Sequence, residues 1–379
     1  MSSMDDNELC DWLALSFVAG VGRRTAGVML ERFGSPKAIL EATTTVLHAN
    51  GLKPECVESI KDPEHHERAK RELDRLREHG AELIVLFDER YPVLLKEIYD
   101  PPILLYVRGD LGRALAQPAV AVVGSRLCST YGRNASEMFA RSLAENGVTI
   151  ISGLARGIDA AAHQGAIAGG GLTVGVMGTG IDVIYPKDHR ELADQVEKHG
   201  ALITEFPIGT PPLSQNFPFR NRVISGLCLG VIVVEGAERS GSLITARMAY
   251  EQGREVFAVP GNITSSKSFG PNFLIKDGAK LIQTWQDVIE EFPPQHKARI
   301  IADSRNDRRR EDQPEIDELV LSEIERQVLS LIKLDEPMQI DPLIYESKLG
   351  LPDLMSALLK LEMMGRIRQL PGKCFVRKL

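Results

Sequence analysis

Cysteine is sparse and never paired at short range: Cys10, Cys56, Cys128, Cys228 and Cys374 stand singly, with no C-x-x-C among them. That spacing argues against a zinc ribbon or a disulfide framework and for reduced thiols in a cytosol. No apolar run approaches the length of a membrane span, and the opening MSSMDDNE is acidic and polar, unlike a secretory signal. Positive charge is also short, with 45 Lys and Arg against 52 Asp and Glu and a net charge of −7. Wholesale coating of a polyanion is thereby disfavoured, and any nucleic-acid site must be a local basic patch on an acidic protein. Two nucleotide signatures are missing as well. After Val123 the chain reads GSRLCSTYG, which lacks G-x-G-x-x-G, and no G-x-x-x-x-G-K-[ST] run occurs. A soluble, cytoplasmic chain without cofactor, metal or membrane contact is expected.

What is present divides by texture. Residues 1–88 read as short amphipathic helices over Leu9–Phe17, Arg23–Phe33, Pro36–Ala42 and His65–His79. The glycine turn Ala19–Gly22, followed by Arg23 and Arg24, resembles a helix-hairpin-helix or SAM-like module, whose turn amides can meet a phosphate. A plain two-helix connector is the commoner outcome for so short a motif. Residues 89–293 alternate helical stretches with short apolar runs at Ala119–Val123, Val148–Ile151, Leu172–Met177, Ala201–Thr204, Gly230–Val234 and Glu255–Val259. Strands buried on both faces have that composition, and the helices between them imply right-handed crossovers, hence a doubly wound, mostly parallel α/β sheet. Residues 294–318, with Arg308-Arg309-Arg310 among acids, read as a charged flexible linker. Residues 319–379 read as helices over Ser322–Ile332, Asp341–Ser347 and Pro352–Met364, then a hairpin across Pro371-Gly372, the outline of a winged helix. Its third helix carries one lysine and two acids, too few base-reading groups for a recognition helix, which favours a contact with protein.

The segment NFPFRNRVISG, 216–226, puts two aromatics and two arginines within Phe217–Arg222. Planar rings and guanidinium groups are what proteins use to hold unstacked bases and their phosphates. A core ring and salt-bridged arginines would explain the same residues. Around this segment, four glycine turns fall at predicted strand ends: Gly124-Ser125-Arg126, the run Ser152–Gly157 with Gly153 and Arg156, Gly178-Thr179-Gly180, and Ser240-Gly241-Ser242. Ligands of open α/β sheets bind at that edge, where amides and helix N-termini point outward, so the set suggests a surface for several phosphates.

In this order, VGSR at 123–126, SGLARGIDAAAH at 152–163, GTGIDVIYP at 178–186, FPFRNRVISG at 217–226, SGSLITARMA at 240–249 and VPG at 259–261 resemble the DNA-processing protein A family, also called DprA or Smf. The resemblance spans about residues 90–290. It implies a Rossmann-like core that binds single-stranded DNA in natural transformation, protects incoming strands, loads the RecA recombinase, dimerises through that core and performs no chemistry. By motif, Arg126 clamps a phosphate, Lys187 flanks the same pocket and Phe217 stacks on a base. The family can carry a lysine about three residues before that aromatic, where this chain has Ser214. Arg220 and Arg222 differ in helical phase: one, Arg220 by preference, is expected at the ligand, the other on an internal acid such as Asp159 or Glu235. Asn221 and the Ser240–Ser242 turn complete the expected site. Apolar stretches such as Leu227–Leu229 or Met248–Tyr250 are candidates for the dimer surface.

The rival is a nucleotide-processing enzyme of the same superfamily, similar to phosphoribohydrolases. Asp159 and His163 share a helix face, and Asp182, Glu205 and Glu235 lie near strand ends. The stretch Glu235–Thr245 nevertheless lacks an acid where the glutamate of the PGGxGTxxE loop would act on the sugar. Asp159 and His163 then read as helix-capping or core hydrogen-bonding groups.

Overall fold

The computed structural model describes residues 4–297, 300, 321–333, 337–370 and 372–377. A nine-stranded sheet runs through its centre in the order β1-β2-β6-β5-β4-β3-β7-β8-β9. Its strands are β1 (Glu82–Val85), β2 (Leu104–Gly109), β3 (Ala119–Val123), β4 (Thr149–Ser152), β5 (Thr173–Val176), β6 (Gly200–Thr204), β7 (Gly230–Val233), β8 (Glu255–Ala258) and β9 (Lys280–Leu281). From β6 to β9 every pairing is parallel, as the nearly continuous apolar runs imply. β2 runs antiparallel to both β6 and β1. Every residue of β3, β4, β5, β6 and β7 is buried, because helices cover both faces.

The N-terminal part holds six helices: α1 (Asp6–Phe17), α2 (Arg23–Phe33), α3 (Pro36–Glu41), α4 (Thr44–Ala49), α5 (Pro54–Ile60) and α6 (Glu64–Glu78). α4 and α5 escaped the sequence reading because fewer than two turns give no usable periodicity. Local chemistry still starts them: the Thr43 side chain accepts from the Val46 amide, and Pro54 opens α5. After the Ala19–Gly22 turn, the Arg24 guanidinium sits 4.5 Å over the Tyr99 ring, so this cation is engaged within the protein.

Two expected boundaries need correction. β1 precedes residue 89 yet hydrogen-bonds to β2 inside the sheet, and Leu13 and Leu30 share one apolar cluster with Leu83 and Tyr106. A cut between 88 and 89 therefore crosses a shared core and detaches a strand. Residues 294–297 are helical and Ile300 packs in the cluster around Phe139 and Phe257, so the first part of the expected linker is folded. The rest of it, including the arginine run, lies outside the described residues.

Between the strands run α7 (Val93–Lys96), α8 (Leu111–Leu115), α9 (Thr130–Glu145), α10 (Ile158–Ala168), α11 (Arg190–Lys198), α12 (Asn216–Gly226), α13 (Gly241–Glu251), α14 (Phe269–Lys276) and α15 (Trp285–Ile289). The C-terminal part contains helices Glu323–Leu331, Ile340–Ser347 and Leu351–Met363. A three-stranded sheet, β10 (Met338–Gln339), β11 (Ile367–Leu370) and β12 (Cys374–Arg377), completes this winged helix. Its wing touches α9: Arg368 Nη2 lies 2.9 Å from Glu137 Oε2, and Asn134 Nδ2 donates to the Arg377 carbonyl at 3.3 Å. Leu351, Met355, Leu359 and Met363 are exposed at four-residue spacing along the third helix.

His163 shows what burial does to a titratable group. It is fully buried, with Nδ1 2.7 Å from Thr173 Oγ1, and that hydroxyl donates to the Ile150 carbonyl. The single hydroxyl proton is thus used, so Nδ1 must be the donor and Nε2 a bare lone pair. Nε2 has no hydrogen-bond partner. Desolvation, with the charges of Arg220 and His189, pushes the pKa down to about 3. The unfolded chain takes up this proton near pH 6.5 and the folded one only near 3, so the contribution to stability is complete above about pH 6.5 and falls as pH falls. The loss approaches about 1.4 kcal/mol per pH unit between those values. His163→Gln is therefore expected to give a shallower decline of unfolding free energy between pH 6 and pH 4 in denaturant titrations. Equal slopes would mean that His163 is not held neutral.

Candidate functional site

From β3 the chain proceeds to β4 on one side, while β7 lies on the other. At such a reversal of strand order two loops leave the sheet in opposite directions and open a crevice at the carboxyl ends. A cleft of ≈ 670 Å³ lies there. Three segments wall it: the Gly124-Ser125-Arg126 turn after β3, the Arg239–Ser242 turn entering α13, and the first turns of α12 with Phe217, Arg220 and Asn221.

Arg220 ties these parts together from below. Only 3% exposed, it donates from Nη1 to the Val176 carbonyl at the end of β5, 2.7 Å away. Its guanidinium occupies the space a side chain at residue 153 would need: a Cβ on Gly153 would fall 1.8 Å from Nη1. Asp159, 7% exposed, supplies the counter-charge and accepts from the Gly153 and Ala155 amides at 3.2 and 3.4 Å. Burial lowers the Arg220 pKa to about 10 against the opposing pull of Asp159. Burial likewise raises that of Asp159, with Arg220 and the two amides acting in the other direction. The two groups of opposite sign thus lie buried in the floor of the cleft, each acting on the other's charge.

Phe217 stands on this floor, half-buried. Its ring centre is 5.1 Å from the Arg126 guanidinium carbon, 5.8 Å from that of Arg220 and 5.7 Å from the Tyr185 ring, tilted by 47°. Beneath it Gly178 has no side chain to spare room for; a Cβ there would come 2.9 Å from the phenyl edge. Arg126 itself is exposed, so its cation rests on an aromatic face and still meets solvent.

The structure sorts the expected residues. Gly124, Ser125, Arg126, Phe217 and Asn221 line the cleft, as do Ser240, Gly241 and Ser242. Ser240 caps α13 through the Ser242 amide, and Asn221 Nδ2 reaches the Gly241 carbonyl at 3.5 Å. Gly153 and Arg156 instead border an adjoining recess of ≈ 300 Å³. Arg156 is held by Asp188 through contacts of 3.0 and 3.1 Å from Nη2, so its charge is already matched. Lys187 is exposed and lines neither cavity. The expectation for the arginine pair needs revision. Arg220 borders the cleft but is buried against Val176 and Asp159, since it falls on the inward stripe of α12. Arg222, 4% exposed, pairs with Glu205 at 2.6 Å and Asp100 at 3.2 Å, acids other than those expected. Sequence reasoning passed over Arg239, Leu127 and Tyr185, which also border the cleft. Arg239 adjoins the Ser240–Ser242 turn, so extending that motif by one residue would have found it.

The carboxylates near the strand ends are engaged in structure. Glu235 accepts from the Ser129 amide at 2.8 Å and from its hydroxyl, at the start of α9. Asp182 accepts from the Gly209 amide at 2.7 Å, and Glu205 holds Arg222. With His163 fully buried, Asp159 and His163 do not form a pair facing the cleft.

Comparison with known proteins follows the same outline. Residues 82–293 match the family model for DNA recombination-mediator protein A, and residues 311–373 match the DprA winged helix domain. DNA processing protein DprA of Streptococcus pneumoniae is 50% identical over 207 residues, covering 55% of this chain and 73% of that protein. Protein Smf of Escherichia coli is 42% identical over 299 residues, 78% of each chain. The X-ray structure of the Streptococcus pneumoniae protein superposes with a TM-score of 0.64 at 37% identity, over 77% of this chain and 99% of that one. A Helicobacter pylori DNA processing protein A structure, described for its single-stranded DNA binding mode, gives 0.50 at 29% identity, over 55% and 94%.

The Gly153 vacancy yields a stability test. Gly153→Ala forces Arg220 from its seat and is expected to cost about 1–3 kcal/mol, the usual penalty of overpacking. It should be visible as a lower thermal midpoint. An unchanged midpoint would mean that Arg220 relocates freely and does not anchor the cleft.

Proposed function

The chain belongs to the DNA recombination-mediator protein A family, and on that premise we propose that its switch-point cleft binds single-stranded DNA without regard to base sequence. One observation carries the reading: an exposed guanidinium, Arg126, resting on a half-buried phenyl ring, Phe217, at the mouth of a crevice. Phosphates meet Arg126 and the capped start of α13, while bases meet the ring, whose stacking tolerates any base. A single strand fits this chemistry because its bases are free to leave the backbone, whereas those of a duplex are stacked inside.

The family context extends the proposal to natural transformation in the cytoplasm, with protection of incoming strands and loading of RecA by a dimer joined through the core. Among the described residues no helix is long and apolar enough to cross a membrane. Of the apolar stretches expected at a dimer surface, Leu227 and Cys228 are spent in the core, while Tyr250 is 80% exposed. The winged helix, with an apolar outer stripe on its third helix, suits contact with protein better than with base edges. We assign the chain no chemistry of its own. A nucleotide-cleaving activity needs a free carboxylate at the sugar, and Asp159, Asp182, Glu205 and Glu235 are held by amides, a hydroxyl or an arginine.

Titration of labelled single- and double-stranded oligonucleotides at two salt concentrations tests this reading. A clear preference for the single strand is expected, and equal affinity for duplex would overturn it. Arg126→Ala should weaken binding to every sequence and reduce the slope of log affinity against log salt by about 0.7, the share of one phosphate contact. Phe217→Ala should weaken binding by roughly 5- to 150-fold, the worth of one base stack, with the slope unchanged. Release of free base from a nucleoside monophosphate panel would instead restore the enzyme reading.

A further inference from the structure

The cleft does not end at Phe217. The adjoining ≈ 300 Å³ recess shares Arg126, Leu127, Ala155, Tyr185 and Phe217 with it. Beyond these residues the two cavities diverge, the larger toward Arg239 and α13, the smaller toward Arg156 and Pro186. We propose that the smaller recess is a second nucleotide subsite, taking the base next to the one on Phe217, with Tyr185 as its stacking platform. The inference rests on the single-strand reading above and adds to it a second occupied position.

Three observations support a base there. Tyr185 is 42% exposed, and Leu127, at the shared mouth, is 80% exposed. Large apolar groups left open beside a cleft call for an apolar face to cover them. The 47° tilt between the Tyr185 and Phe217 rings means that neither is consumed by flat stacking on the other, so each can serve a separate base. Charge also differs between the two cavities. The exposed Arg126 borders both cavities; the larger one adds Arg239, also exposed, which suits phosphate oxygens. In the smaller one Arg156 is already matched by Asp188 at 3.0 Å, so a phosphate would have to compete with a carboxylate in place. A neutral, flat group meets no such competition and can also lie on the planar guanidinium. Consecutive nucleotides then alternate in what the protein offers them: cation for backbone, ring for base, and a second ring for the next base.

The test uses the full chain and oligothymidylates, followed by fluorescence anisotropy at two salt concentrations, with Arg126→Ala as the reference variant. Tyr185→Ala is expected to weaken binding by roughly 5- to 150-fold with an unchanged salt slope, while Tyr185→Phe, which keeps the ring, binds as the parent does. Asp188→Asn frees the Arg156 charge and should steepen the slope, which reports on the recess even if Tyr185→Ala folds poorly. If the parent binds and Arg126→Ala weakens it while Tyr185→Ala and Asp188→Asn both behave as the parent, the second subsite is overturned and the single-strand reading stands. If the parent itself does not bind single strands, the single-strand reading fails, and the second subsite with it.

Discussion

The site depends on one buried cation. Arg220 sits where Gly153 has no side chain, bonds the end of β5 through Val176 and faces Asp159 at the start of α10. A guanidinium out of water is costly unless its charge and donors are met; here Asp159 opposes the charge and the Val176 carbonyl takes one donor, while Nε has no partner. That requirement fixes α12 relative to the sheet. Phe217 is one turn from Arg220 on the same helix, so fixing Arg220 also fixes the ring, and Arg126 then has an aromatic surface to lie on. The ligand-facing layer is ordered by a layer the ligand need not touch.

This arrangement explains how the arginines divide their work. Arg220 and Arg222 lie two residues apart yet both point inward, one to a carbonyl and Asp159, the other to Glu205 and Asp100. Arg156 is exposed but matched by Asp188. Arg126 and Arg239 are the exposed cations bordering the larger cleft. Around this cleft, attraction for a polyanion thus rests on Arg126 and Arg239, while the paired Arg156 and Arg222 add shape more than charge.

Much of this was legible in the sequence, and the parts that were not have physical reasons. The continuous apolar runs identified the parallel strands because such strands are buried on both faces. β1 was missed because four residues with one exposed position carry little pattern, and β9 because two residues carry none. The glycine turns marked the carboxyl edge correctly, but Gly178-Thr179-Gly180 supports Phe217 from below instead of bordering the cleft. Arg220, expected at the ligand, does border the cleft but is buried. The spacing of Asn216, Arg220, Val223, Ile224 and Leu227, all buried, follows a helical stripe and would have placed it inside. The partners Glu205 and Asp100 could not be foreseen, since ion pairs between distant segments leave no local signal.

The way β1 closes the sheet reaches further than the architecture. β2 is flanked by β6 on one side and by β1 on the other, and β1 is delivered by the helical N-terminal part. A shortened chain starting at residue 89 would bare the edge of β2 over Leu104–Val107, the four residues that β1 pairs, together with the apolar surface that Leu13 and Leu30 now cover. Naked strand edges recruit other strands. In the intact chain β1, carried by the N-terminal part, covers this stretch of β2, and a fragment lacking it presents an edge prone to pairing with other strands.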